Sequence, residues 1–515
     1  MKRSLLVVFV LGLLVMSISC KKSVPADLGK VSFIPQPVEL LATGSSFEIS
    51  KNTSINILKG DEDLALIAQL LKDEVKLFTG NDLVVNEVSS FGKNGINLGV
   101  DATINEENKE AYALIINEDQ VKISGASGAG VLFGVQTFVQ AIQAHKSTEK
   151  DVWIVASGQI NDYPQYGFRG AMLDVARNFF EVDDVKRFID LLVYYKLNVL
   201  HLHLTDDQGW RIEIKSWPKL TTIGGSTSML GDGGFYTQED YKEIVKYAKE
   251  RFITIIPEID IPGHTNAALA SYAELNCNGK APELYKGMKV GFSTLCTDKE
   301  ITYQFVDDVV RELAEITDGP YIHIGGDESH VTELDDYVYF INRTQDIVKK
   351  YNKIMVGWDE IAHADIDSEA IVHYWAKGEN ASMGVEKGAK VILSPSTKVY
   401  LDMQYDSLTH LGQHWAAYIE IDSSYMWKPL ELVEGINREN IVGIESPLWT
   451  ETISTMDEIE YMVFPRIIGH AEIGWSPVEH LNWDDYKVRL GKQVPLLEKR
   501  GVDYYASKQV PWIKK

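Results

Sequence analysis

The sequence predicts an α/β fold, a (β/α)8 TIM barrel preceded by a small α+β domain. Three observations lead there. The chain has 515 residues, of which 45% are apolar, enough for a large barrel and a smaller unit beside it. From about residue 166, short apolar runs alternate with amphipathic stretches, the pattern of parallel strands joined by helices. There are eight such runs, and their C-terminal ends carry polar and aromatic residues, which a barrel gathers on one face.

Residues 1–19 read as a leader. Lys2 and Arg3 precede an apolar run, Leu5 to Ile18, of 14 residues, too short for an ordinary membrane span. The stretch MSISC then ends in Cys20. This is the form of a bacterial lipoprotein signal, with Cys20 as the lipidated first residue of the mature chain; a plain secretory leader is the alternative. The expected location is the bacterial cell envelope, with residues 20–30 as a tether and the lipid anchor as the sole membrane contact. The net charge of −24 argues against nucleic acid or anionic lipid as the main partner. In an exported chain Cys277 and Cys296 can pair; two free buried thiols are the other possibility.

Residues 31–160 form the α+β domain. The runs SINILK, LVVNEV, GINLGV, YALIIN and QVKISG read as strands. DLALIAQLLKDEVKLF reads as a helix, and a second begins near Ser127, with Leu132, Val135, Val139 and Ile142 on one face. No chemistry is apparent in this part.

Residues 161–515 form the barrel. Its strands are GAMLDVAR, LNVLHLHLTDD, ITIIPEIDIP, YIHIGGDE, IMVGWDE, IVHYWA, KVILSP and IVGIESPLWTE. VDDVKRFIDLLVYYK and TQEDYKEIVKYAKERF are clear helices between them, whereas the connection over 403–440 is long and poor in helix. The strand ends carry Arg177; Asp206 and Asp207; Glu258, Asp260 and His264; Asp327 and Glu328; Trp358, Asp359 and Glu360; Trp375; and Trp449 and Glu451. One such residue is easily a structural ion pair; seven loaded strand ends point to an active site.

Carboxylates among tryptophans suit glycoside hydrolysis, which needs a proton for the leaving oxygen and negative charge near an oxocarbenium-like carbon. The usual retaining pair flanks the bond from different strands. Asp327 and Glu328 are sequence neighbours, which on a regular strand point to opposite faces. Both serve one site only if the strand bends, which the glycines of HIGGDE permit. Even then they are poorly placed on either side of one bond, which invites a nucleophile from outside the protein.

HIGGDE, HLHLTDDQGW, GAMLDVARNFF, PEIDIPGHT and SPLWTE together resemble glycoside hydrolase family 20, the β-N-acetylhexosaminidases, from about residue 33 to the end of the barrel. The resemblance implies an exo-acting retaining enzyme that removes terminal N-acetylglucosamine or N-acetylgalactosamine through an oxazolinium intermediate, without cofactor or metal. It implies Glu328 as general acid and then base, and Asp327 as the acceptor of the acetamido N–H. Tyr400 would donate to the acetamido oxygen. Arg177 would hold the 3- and 4-hydroxyls, Glu451 the 4- and 6-hydroxyls, and Asp402 would lie near the 6-hydroxyl. Trp358, Trp375 and Trp449 would wall the pocket, with Asp206 and His264 supporting Glu328. A raised pKa is expected of Glu328, from Asp327 and the tryptophan wall. Trp153, Trp210, Trp217, Trp415, Trp427, Trp475, Trp483 and Trp512 read as packing or loop residues.

Two other readings stand beside this one. His201 and His203 in HLH suggest a metal-dependent barrel hydrolase, joined by His373 alone from the sixth strand. A glycan-binding protein that has lost catalysis could dispense with the acid, yet Asp327, Glu328 and Tyr400 are all present.

Overall fold

The computed structural model describes residues 25–142, 145–146 and 152–513. The leader and Cys20 lie outside the described residues. No helix among the described residues is long and apolar enough to cross a membrane.

The N-terminal unit is a mixed sheet with strand order Glu39–Ile49, Trp153–Asp162, Tyr112–Ile116, Gln120–Gly125, Gly95–Val100, Ser54–Leu58, Val84–Val88. Helices Glu62–Thr79 and Gly128–Ile142 pack on it. Asp61 caps the first by accepting from the Leu64 N–H, and Gly80 ends it in the left-handed region. The sheet contains the five strand runs read from the sequence and two longer strands beside them. Glu39–Ile49 escapes a periodicity reading because its pairing register shifts between Ala42 and Ser46. Trp153–Asp162 carries the sheet past residue 160. The stretch read as a tether through residue 30 is already folded at its end: Leu28–Lys30 make a 3-10 turn that buries Leu28, because this leucine packs on the sheet beside Gly158.

The barrel strands are β1 (Phe168–Asp174), β2 (Val199–His203), β3 (Thr254–Glu258), β4 (Tyr321–His323), β5 (Ile354–Trp358), β6 (Ile371–Tyr374), β7 (Lys390–Leu393) and β8 (Ile441–Leu448). They close in parallel order, β8 returning to β1. Phe168, Val199, Ile256, Val356, Ile371 and Ile392 form a buried apolar cluster of their own, separate from the main core; one comes from each of six strands, so they fill the barrel interior. Above it the interior turns polar. Asp174, His203, Glu258 and His323 are level in the register of β1 to β4.

Amphipathic helices cover the outside, including Val182–Tyr194, Gln238–Lys249, Glu300–Ile316 and Leu334–Lys350. Thr237 and Asp240 make a capping box at the start of Gln238–Lys249. Between β7 and β8 the only α-helix is Ile421–Tyr425. Beyond β8, four α-helices between Met456 and Lys499 lead back to the first unit. There Arg489 and Gln493 donate to the carbonyls of Phe33 and Ser32, at 2.8 Å each.

Candidate active site

The C-terminal mouth of the barrel holds a cavity of about 240 Å³. Asp327, Glu328, Arg177, Tyr400, Trp358, Trp375, Trp449, Glu451 and His264 all line it. Local backbone geometry explains how neighbours 327 and 328 share it. Regular strand β4 stops at His323, and Gly325 and Gly326 take φ of 65° and 97°. A Cβ at Gly325 would stand 1.9 Å from Asp260 Oδ1, so only glycine fits. Glu328 itself has φ 48°, a left-handed conformation uncommon for a side-chain-bearing residue.

His264, also left-handed at φ 52°, organises the two carboxylates. Its Nε2 is 3.4 Å from Glu328 Oε2 and 3.6 Å from Asp327 Oδ2. Its Nδ1 faces Asp206 Oδ1 at 3.2 Å. Burial disfavours a charged ring there, but Asp206, Asp260 and Asp327 outweigh it and hold its pKa well above the usual value. Asp327 is shifted toward neutrality. Burial pushes it up to about 6, the charge of Glu328 adds to the rise, and His264 opposes it. The side chain of Glu328 is 28% exposed and stands at the opening.

Arg177 is 4% exposed and lies under the ring of Trp449 at 4.8 Å. Three of its nitrogens face protein acceptors: Nε the Gln208 Oε1 at 3.1 Å, Nη1 the Asp174 Oδ2 at 3.1 Å, and Nη2 the Asp206 Oδ2 at 2.7 Å. Each Nη keeps a second hydrogen for the cavity. Glu451 lies close enough to raise the Arg177 pKa.

Trp358 forms the floor, 1% exposed, with its Nε1 donating to Glu258 Oε1 at 2.8 Å. Trp375 donates to Glu360 Oε2 at 3.1 Å and stacks near Tyr400. Burial pushes Glu360 up to about 8, with Asp359 and Asp327 adding to it. Burial also drives the Tyr400 hydroxyl well above its ordinary pKa, helped by Asp327 and Asp402, so it remains a donor. Asp402 is outside the cavity lining. It is buried, without a well-formed hydrogen bond at either oxygen, and burial and the neighbouring Glu451 raise its pKa.

Trp415, read from sequence as a packing or loop residue, is 55% exposed at the rim, edge-on to Trp375 and Tyr400, and lines the cavity with Gln413. Both lie in the connection of 403–440, where no periodicity fixes a register. Met288 and Val290 close the other side of the mouth. Their loop is bridged at its ends by a disulfide between Cys277 and Cys296. It is also tied down where Ser293 donates to Asp207 and Gln208 to the Gly287 carbonyl.

The metal reading takes His201, His203 and His373; the ligand atoms that lie within 4.8 Å of one another are those of His201, His323 and His373, with His203 in a different set. His323 from β4 is a third histidine that the sequence reading did not include. Most of these ring nitrogens already have hydrogen-bond partners: His201 Nδ1 meets Glu445 at 2.8 Å, while its Nε2 lies 3.0 Å from Glu258 without a formed hydrogen bond. His323 meets His373 at 3.2 Å and accepts from the Gly325 N–H at 3.0 Å, and His373 meets Ser394 at 2.6 Å. The three rings also lie below the Trp358 floor, with that indole stacked on His373. Ligand atoms also converge in three sets nearer the mouth: His203, Asp206 and Asp260; Asp206, Asp207 and His264; and Asp260, His264 and Asp327.

Residues 166–478 match the profile of the glycosyl hydrolase family 20 catalytic domain, and residues 30–163 match domain 2 of the same family. The chain belongs to glycoside hydrolase family 20. It is thus a glycoside hydrolase, of the β-N-acetylhexosaminidase family. It is 36% identical to a β-N-acetylhexosaminidase of Cellulomonas fimi over 94% of this chain and 97% of that one. Among solved structures it resembles the family 20 β-N-acetylhexosaminidase of Streptomyces coelicolor A3(2), with 46% identity, TM-score 0.89, and coverage of 95% of this chain and 100% of the other. A mutant Streptomyces plicatus β-hexosaminidase in complex with its product, GlcNAc, is 45% identical at TM-score 0.89, covering 96% and 100%.

Proposed function

We propose that this hydrolase removes single terminal β-linked N-acetylhexosamine units from the non-reducing ends of glycans, with retention, by substrate-assisted catalysis. The observation that carries the reading is that Asp327 and Glu328 both approach one nitrogen, His264 Nε2. Two carboxylates on one wall cannot act as acid and nucleophile across a single bond in the usual retaining layout. Among the cavity-lining residues the third carboxylate, Glu451, is beside Arg177 and suits hydroxyl binding.

In this reading Glu328 gives its proton to the glycosidic oxygen as the C1–O bond breaks. The acetamido carbonyl oxygen forms the new bond to C1, giving an oxazolinium ion. Ionised Asp327 accepts the acetamido N–H and balances the positive charge, while Tyr400 donates to the carbonyl oxygen. Glu328 then takes a proton from water as that water attacks C1 and the ring opens. A cavity of about 240 Å³ falls below the ~300–1,000 Å³ of most ligand pockets, and its floor is the buried Trp358. It suits one sugar at a chain end, which supports exo action.

The test is a panel of defined oligosaccharides assayed for released monosaccharide, together with aryl N-acetyl-β-glucosaminides whose acetyl group is fluorinated. Release of single terminal units, with rates falling steeply from acetyl to trifluoroacetyl, is expected. A flat response would mean a protein nucleophile, and no turnover of any substrate would leave a glycan-binding protein. Loss of activity on chelation, restored by zinc, would instead favour the metal-dependent reading. We also propose export and lipid anchoring through Cys20, on the strength of the leader sequence. Incorporation of labelled fatty acid, abolished by Cys20→Ala, tests it.

A further inference from the structure

Glu258 ends β3 at the level of His203 and His323, is fully buried, and does not line the cavity. Its Oε2 meets His203 Nδ1 at 2.5 Å and its Oε1 accepts from Trp358 Nε1 at 2.8 Å. The other nitrogen of His203, Nε2, meets Asp206 Oδ2 at 2.9 Å. Asp206 in turn holds Arg177 Nη2 at 2.7 Å and His264 Nδ1 at 3.2 Å, and His264 faces Glu328. A series thus runs Glu328, His264, Asp206, His203, Glu258, with carboxylates and imidazoles alternating from the mouth into the barrel; its inner links are hydrogen bonds, and the outermost, His264 to Glu328, is an ion-pair approach of 3.4 Å.

We infer that Glu258 is a positioning residue for the hydrolytic reaction: through His203 and Asp206 it sets the proton-donating end of the series, and through Trp358 it fixes the pocket floor. This rests on the hydrolytic reading above and extends it below the cavity. A neutral imidazole can donate from only one nitrogen. Both nitrogens of His203 face carboxylate oxygens, so Glu258 gives that ring a reason to carry two protons and to donate to Asp206.

Charges around the series agree with this. Burial would raise Glu258, but His203, His323 and His201 hold it well below the carboxylate range. Burial would lower His203, but Glu258, Asp206 and Asp174 hold it well above the imidazole range. His264 meets Asp206, Asp260, Asp327 and Glu328, with Asp207 at 4.0 Å. When Glu258 loses its charge, His203 loses the stabilisation of its second proton. Asp206, left with Arg177 and His264 as its cationic partners, then places more of its charge on His264. A more firmly cationic His264 beside Glu328 favours the deprotonated acid.

The experiment compares wild type with Glu258→Gln on two N-acetyl-β-glucosaminides, one with an activated aryl leaving group and one with a poor alkyl leaving group. Turnover of both by the wild type is established first, so that a failure of the hydrolytic reading shows there and not in the variant. General acid catalysis contributes about 10²–10⁴-fold, and weakening it through a partner should cost about tenfold or more in kcat for the poor leaving group. The activated substrate should lose much less, KM should change little, and the alkaline limb of the pH profile should move to lower pH. Equal losses on both substrates with an unmoved profile would overturn the inference and leave Glu258 a packing residue. If Glu258→Gln does not fold, His203→Gln cuts the same series and must show the same leaving-group dependence; equal losses there overturn it as well.

Discussion

At the residue scale, the chemistry turns on two adjacent carboxyls with different surroundings. Asp327 is buried and pushed up to about 6, whereas Glu328 stands at the opening beside His264. In the proposed mechanism Asp327 must be ionised to accept the acetamido N–H and offset positive charge. Below about pH 6 it takes up a proton and that function is lost, so kcat/KM should fall with an acid limb near pH 6 in a pH–rate profile. An acid limb far below that value would contradict the role assigned to Asp327. Replacing Glu328 by Gln removes the proposed proton donor and should cost about 10²–10⁴-fold on poor leaving groups, read as kcat for alkyl glycosides. The motif HIGGDE made this pair legible in the sequence, and the need for a bend could be argued from strand alternation. That burial shifts Asp327 toward neutrality could not, because that burial depends on walls contributed by distant strands.

At the element scale, the loop between Cys277 and Cys296 forms one side of the mouth with Met288 and Val290. Closing a loop of this length should stabilise the fold by about 3 kcal/mol in the chain-entropy picture. The double variant Cys277→Ser, Cys296→Ser should therefore melt several degrees lower in calorimetry. Its activity on disaccharides should suffer more than on aryl glycosides, since the freed loop borders the outer part of the cavity. Strand positions were legible here because the barrel repeats one apolar run per unit. The rim residues Trp415 and Gln413 were not, since their segment lacks both strand alternation and helical spacing and is placed by contacts with Trp375 and Tyr400.

At the scale of the whole molecule, the two units share buried polar groups. Lys196 follows the first barrel helix and reaches back to Asp162 at 3.0 Å and to the Tyr112 hydroxyl at 2.9 Å, above the ring of Trp475 at 4.4 Å. Burial lowers its pKa while Asp162 opposes that change. Lys196→Ala leaves Asp162 without its cation and should cost about 3–5 kcal/mol, the range for breaking a buried pair. The units should still unfold in one transition, seen as a single lowered melting temperature by calorimetry and by tryptophan fluorescence alike. Two separated transitions would contradict a shared core.

The sequence by itself determined the barrel, its eight strands, the face that carries the chemistry and most of the side chains found there. Those depend on local periodicity and on which residue ends each strand, and both are short-range properties of the chain. Only the tertiary structure decided that His203 and Glu258 continue the series from Glu328, that Asp402 is buried outside the cavity lining, and that Lys196 joins the two units. These pairings bring together groups far apart along the chain, and their energies depend on desolvation, which exists only once the barrel has closed around them.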